Sequence, residues 1–265
     1  MAGLTTSVPC AVWATTTPDS SAMRVSLQPS YILHSRPYRD SSLILEVFCA
    51  EHGRLSLVSK GARRRSKGGS SVALLQPFIP LLLSFSGRSE MKTLTHVEPA
   101  GVAPQLRGER LFSGMYINEL LMRLLHRHDP HPQLFANYGT ALGELGDAEQ
   151  VEVCLRRFEL GLLDELGYGF SLAEDGLSGE AISEDGWYHF SPDCGLVAGV
   201  KGANPARPAY SGAELLLLSQ GKYGGEARSV ARRLMREVLA QYLGSEPLKS
   251  RDLFHGRSPQ GGESQ

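Results

Sequence analysis

The densest run of cations in the chain is Lys60-Gly-Ala-Arg-Arg-Arg-Ser-Lys67-Gly-Gly. Closely spaced Lys and Arg on a glycine-rich backbone can follow phosphates without a fixed geometry. That chemistry gives affinity for a polyanion rather than choice among sequences. Two sharper chemistries fail on the residues. A phosphate-cradling P-loop needs G-x-x-x-x-G-K-[ST], but Ser66 stands where the second glycine belongs and Gly68 where the hydroxyl belongs. A nucleotidyl-transfer lysine would be followed by Asp-Gly, and Lys60 is followed by Gly-Ala. The bland alternative is a solvated loop.

Other reactive residue types are sparse. His126, His128 and His131 lie close in sequence at an expected helix end, where histidine suits the negative pole of the helix dipole. Only Asp129 stands near to complete a metal set. Cys10, Cys49, Cys154 and Cys194 are far apart and form no CxxC pair, which fits neither a zinc ribbon nor a redox motif and suits a reducing compartment. His189 and Cys194 could pair as base and nucleophile. The acids around them, Glu184, Asp185 and Asp193, would hold the thiol protonated. No catalytic residue, metal or cofactor is expected. Arg228, Arg232 and Arg236 recur every four residues beside an apolar stripe of Ala231, Met235, Val238 and Tyr242, with Arg233 adding a further charge. A basic face along an apolar stripe suits an acidic, partly apolar peptide, or else is an ordinary surface helix.

The net charge of −1 hides a separation. Residues 24–110 hold 13 Lys and Arg against 6 Asp and Glu, a balance of +7, whereas residues 111–265 hold 14 against 21, a balance of −7. A basic half joined to an acidic half points to a polyanion-binding module attached to something else. No run approaches the roughly 20 apolar residues of a membrane span. The first 22 residues lack Lys and Arg and lack a continuous apolar stretch, so they read as a disordered leader, with Met23 or Met1 as the true start.

The elements that must position these residues follow from periodicity. Tyr31–His34, Leu43–Phe48, Arg54–Val58, Phe78–Phe85 and Glu90–Val97 read as five short strands, the last two joined by Ser86-Gly-Arg-Ser89. Their spacing suits an OB-type barrel, which would leave no exposed edge. The loops flanking an OB groove would then hold Arg36, Tyr38 and Arg39 on one side, and Arg88 with Lys92 on the other. Tyr38 is available to stack on a base or to pack. Beyond Arg110 the period becomes helical: Arg110 to about Arg127, Leu134–Leu145, Val151–Leu166 and Glu226–Leu243, with breaks at Pro130, Gly146, Gly167 and Gly244. Residues 168–210 read as irregular. The expected architecture is α+β and multidomain: a disordered leader (1–23), an OB-fold DNA-binding barrel (24–105), a helical domain in two parts (106–167 and 211–254) around an irregular insert (168–210), and a disordered tail (255–265).

Seven strings, in order, carry a family resemblance: Leu33-His-Ser-Arg-Pro37, Val58-Ser-Lys-Gly-Ala-Arg63, Leu75-Gln-Pro-Phe78, Tyr116-Ile-Asn-Glu-Leu-Leu121, Arg156-Arg-Phe-Glu-Leu160, Leu166-Gly-Tyr-Gly169, and Tyr242-Leu-Gly through Leu248-Lys-Ser-Arg251. Between about Ser30 and Phe254 the chain resembles RecO, a bacterial family of recombination and repair mediators, and its proteobacterial members most. The resemblance implies an N-terminal OB domain, a helical domain and a small third region. It implies binding to single- and double-stranded DNA and annealing of complementary strands. It also implies help in loading RecA onto strands coated by single-strand-binding protein (SSB), with RecR and the acidic SSB C-terminal tail as partners, in the cytoplasm at the nucleoid. DNA contacts are expected from Arg36, Tyr38, Arg39, Lys60, Arg63, Arg64, Arg65, Lys67, Arg88 and Lys92. Arg156 carries over as a contact for the SSB tail, and Arg157, Arg228 and Arg232 join it from the basic face. Some relatives place four zinc-binding cysteines in the third region. Only Cys194 remains there, so the insert is expected to lack zinc. An OB-fold enzyme acting on nucleic-acid ends and an RNA-binding regulator are the alternative functions.

Overall fold

The computed structural model describes residues 23–63, 71–147, 151–202 and 207–255. Five strands, β1 (Met23–Tyr38), β2 (Ser42–Cys49), β3 (Gly53–Ser59), β4 (Leu81–Gly87) and β5 (Lys92–Pro99), close in the order β1-β2-β3-β5-β4. β3 and β5 run parallel and the other neighbours antiparallel, which is the OB topology. Alternation decides the interior: Leu43, Leu45, Val47, Leu55, Leu57, Leu81, Leu83 and Phe85 fill it.

β1 is far longer than its apolar run because one strand serves two edges. Its first half pairs with β4 and its second with β2, with register shifts between Val25 and Gln28 and between Ile32 and His34. Leu27 sits at φ 48° in the first irregularity, whose bend lets the strand turn the barrel corner. The expected fourth strand starts later than its hydrophobicity implied. Phe78 has φ 71° and its side chain joins the helical core rather than the barrel.

The helical part comprises α1 (Glu109–Leu124), α2 (Pro132–Asp147), α3 (Val151–Glu165), α4 (Gly212–Ser219), α5 (Arg228–Leu243) and α6 (Ser250–His255). Its core continues onto the barrel's outer face through Leu33, Phe48 and Phe78. Tyr31 and Phe48 meet Phe135 at centroid distances of 5.3 and 5.5 Å. Asn118 donates to the Leu33 carbonyl at 2.9 Å and accepts from the Tyr138 hydroxyl at 2.7 Å, all buried. At Gly53 (φ +62°) a β-carbon would fall 2.0 Å from the Asp129 carbonyl oxygen, so only glycine lets β3 start against the segment after α1. None of the described helices is long and apolar enough to cross a membrane.

Residues 168–210, expected to be irregular, contain a small antiparallel sheet of β6 (Trp187–Ser191), β7 (Gly195–Gly199) and β8 (Tyr210–Ser211), in the order β7-β6-β8. Asp175 staples the preceding loop to it. Its carboxylate accepts from the N–H groups of Leu177, Ser178 and Ala198, and these bonds hold it below the usual carboxylate range.

Glu119 on α1 fastens the C-terminal helix by accepting from the N–H groups of Lys249 (2.9 Å) and Ser250 (2.8 Å) and from the Ser250 hydroxyl (2.6 Å). Burial pushes Glu119 up, but these donors and Arg123 more than reverse that, and its carboxyl lies below its ordinary value. A carboxyl depressed by folding stabilises above its unfolded pKa, and the gain is lost as pH falls through the folded value. Glu119→Gln is therefore expected to cost about 1 kcal/mol at pH 7. The gap from the unaltered protein should narrow in urea titrations run near pH 3, with faster amide exchange over residues 248–252.

Candidate nucleic-acid interface and acidic-peptide groove

The β1–β2 turn and the exit from β3 meet at one end of the barrel. Tyr38 pairs with Ser42, Leu43 with Ser59, and the Arg63 N–H donates to the Ser41 carbonyl at 3.0 Å. This register gathers exposed Arg36, Arg39, Lys60 and Arg63 at that end. The Arg39 guanidinium lies 5.1 Å from the centroid of half-buried Tyr38, which holds both a cation and an aromatic face in place. Arg64, Arg65 and Lys67 lie outside the described residues.

The second flank differs from the sequence expectation. Arg88 is exposed in the β4–β5 turn, but Lys92 is buried at 9 % exposure, where β5 meets β3 opposite Leu57. Burial, then Lys92, hold nearby His128 below its ordinary value. The face between the two loops is partly covered. Arg54 on β3 donates to the Leu125 carbonyl at 3.1 Å and pairs with Glu46 at 3.6 Å. Arg127 reaches Glu46 at 3.3 Å and Glu90 at 3.8 Å. The segment after α1 thus lies against β2 and β3 through Arg127 and the Leu125 carbonyl, and the exposed cations beside the β1–β2 turn are not among these contacts.

On the helical side, Arg156 of α3 is buried at 6 % exposure, because its neighbours at i+3 and i−4 are acids. It donates to Glu159 at 2.5 Å and approaches Glu152 at 3.8 Å. Tyr116 also donates to Glu159, at 2.6 Å. Burial pushes the Glu159 carboxyl up, against the pull of Arg156 and Tyr116. Across from α3, Arg228 reaches Glu152 at 3.5 Å and Arg232 also pairs with it. Arg156, Arg228 and Arg232 are therefore assembled around one carboxylate. Arg157 points elsewhere, to Glu144 of α2 at 2.7 Å. Next to Arg156, Leu160, Leu172, Leu218, Tyr223, Leu234 and Met235 line an apolar groove whose free volume is only about 10 Å³, room for about one water. Ala231, Met235 and Val238 of the expected stripe are buried, while Tyr242 stacks on Tyr168 at 4.0 Å.

Glu152 and Glu159 do not stand out in the sequence alone. Their i,i+4 and i,i+3 spacing from Arg156 was the available signal, but nothing local showed that Glu152 also serves α5. Among the described residues no group of three or more His, Cys, Asp or Glu is arranged to hold a metal. His131 instead faces Asp129 and Glu165 at 3.4 and 3.3 Å. The thiols of Cys49 and Cys154 are pushed up to about 12, chiefly by burial, which makes them poor nucleophiles.

Two family models match the chain: Recombination protein O N terminal over residues 23–102, and Recombination protein O C terminal over residues 105–252. The chain is 45 % identical over 236 residues to the DNA repair protein RecO of Methylococcus capsulatus, covering 89 % of this chain and 95 % of that one. It is 42 % identical to the protein of that name in Aliivibrio salmonicida (89 % and 98 % covered) and 44 % identical to that of Stutzerimonas stutzeri (86 % and 92 % covered). The first model falls on the barrel and the second on the helices with their small sheet, and across both the chain belongs to the RecO family.

Proposed function

We propose that the protein acts in DNA repair and homologous recombination as a mediator rather than an enzyme. It binds single- and double-stranded DNA at the basic end of the barrel, anneals complementary strands and, with RecR, assists RecA loading onto SSB-coated DNA. The observation that carries this reading is the gathering of exposed Arg36, Arg39, Lys60 and Arg63 at the barrel end that holds Tyr38, at the start of the basic run, in a chain of this family. Cations on two strands lower their mutual repulsion, so complementary bases can meet without any bond being made or broken. Arg88 extends the contact from the second turn. Lys92 would join only if its buried ammonium swings out.

The α3–α5 groove is the proposed dock for the acidic SSB tail. Arg156, Arg228 and Arg232 would take its carboxylates, the neighbouring apolar residues its hydrophobic end, and Arg157 would steer from outside. Such partners place the protein in the cytoplasm, at the nucleoid. The test is strand annealing on SSB-coated DNA without nucleotide and with a chelator present. Acceleration well above the spontaneous rate is expected. A rate equal to the spontaneous one, or one that needs nucleotide or metal, would refute the mediator reading.

A further inference from the structure

Arg228 and Arg232 lie in the first two turns of α5, at the positive pole of its dipole. Cations are unfavourable there, so the site calls for an anion. Glu152 supplies it. With its side chain 13 % exposed, it faces Arg156 on its own helix and both α5 arginines across the gap. A second observation points to a ligand. The Nε of buried Arg156 has no hydrogen-bond partner among the described residues, which leaves a donor unused beside a groove too small for a side chain. The arginines are assembled, yet the apolar seat beside them is shut.

We propose that Glu152 is an internal stand-in for the carboxylate of an incoming acidic peptide. It ties α5 to α3 at one end of the groove, and the peptide must displace it from Arg228 and Arg232 before an apolar end can seat on Leu160, Leu218 and Leu234. This rests on the groove being the dock for an acidic tail. Because Glu152 is tethered, its effective concentration at the arginines is on the order of millimolar or higher. A lone Asp or Glu on a passing surface cannot compete with that. A peptide with several adjacent acids and an apolar terminus can, since it replaces the carboxylate and also gains the groove. Glu152 therefore sets specificity by raising the threshold for all anions. The simpler role, an acid in the first turn of α3 complementing that helix's dipole, predicts only a small loss of stability on its removal.

The two are separated by fluorescence anisotropy on the full chain with a labelled peptide of consecutive Asp residues ending in Phe. Glu152→Gln is expected to bind this probe about tenfold tighter and to lose discrimination against a peptide with one Asp. Glu180→Gln, which removes the same charge from an exposed loop, should bind as the unaltered protein does. Glu152→Ser, with more space and no charge, should also bind more tightly, so the idea does not depend on one variant folding well. Unchanged or weaker binding by Glu152→Gln and Glu152→Ser overturns the proposal. Full retention of binding by Arg156→Ala is a different failure: the probe then binds elsewhere, and the groove reading falls together with this one.

Discussion

Replacing Arg63, Arg64, Arg65 and Lys67 together with Ala is expected to lower single-stranded DNA affinity by roughly 10²- to 10³-fold at 0.1 M salt and to flatten its salt dependence. Each phosphate neutralised on a single strand contributes about 0.7 to the slope of log affinity against log salt, so four lost cations remove close to 3. The two proteins should then converge near 1 M salt, where counterion release gives little. At Arg63 the fold has no reason to suffer. Arg63 is exposed, and the bond it gives the barrel runs from its backbone N–H to the Ser41 carbonyl, which alanine keeps. An unchanged thermal midpoint with the altered slope is therefore the expected pair. Equal slopes, measured from 0.05 to 1 M salt, would remove the run from the DNA contact and leave Arg36, Arg39 and Lys60 to carry it. Annealing should fall further than binding, because the proposed mechanism asks the same cations to screen two strands at once.

What the sequence makes legible depends on how local the cause is. α1, α2, α3 and α5 are legible to within three residues, because Leu, Phe and Met recur on one side of each and glycine or proline follows, whereas α4 and α6, of eight and six residues, are too short to show a period and were not expected. β2 and β3 are equally plain, since alternation over five or six residues marks a strand. β1 was read as four residues of its sixteen. Gln28, Pro29 and Ser30 interrupt its pattern just where the strand leaves β4 for β2, so the irregularity that makes the barrel close is also what hides it. Phe78 looked like a strand residue because hydrophobicity does not say which core a side chain serves. The sheet at residues 187–211 has strands of five, five and two residues and contains His189 and Gly195, too short and too mixed for a period.

The same division governs the sites. Arg39 and Arg88 are legible as cations on turns, whereas Arg36 and Tyr38, expected in the first loop, lie in β1 paired with Ile44 and Ser42. That the segment after α1 lies against β2 and β3, through Arg54, Arg127 and Glu46, depends on residues as many as 81 positions apart. No window along the chain reports such a contact. Burial of Lys92 follows from the parallel pairing of β5 with β3, which is likewise a product of the closed topology.

Arg156→Ala is expected to weaken binding of an acidic SSB-tail peptide by about 30-fold or more, while DNA affinity stays within about twofold. Truncating one member of a buried, hydrogen-bonded charge pair at an interface costs about 2 kcal/mol or more, and Arg156 is the one groove arginine that both lines the apolar seat and is itself buried. The variant also leaves Glu159 without its cation, so folding must be examined with the sign of its titration in mind. Burial already pushes the Glu159 carboxyl up, and loss of Arg156 raises it further. A carboxyl raised by folding is tolerated while protonated and destabilises as pH climbs from its unfolded value through its folded one. The variant should accordingly approach the unaltered protein in stability near pH 5 and fall behind it at pH 8. Titration calorimetry at a pH low enough for the variant to melt like the unaltered protein separates lost recognition from lost structure. Equal peptide affinity there would refute the dock, whereas weakened affinity with a native-like melt at the same pH places the tail's carboxylates on Arg156. Glu159→Gln supplies the internal check. It keeps a hydrogen-bond partner for Tyr116 and Arg156 and removes only the titrating carboxyl, so it should bind the peptide as well as the unaltered protein and show a flatter dependence of stability on pH.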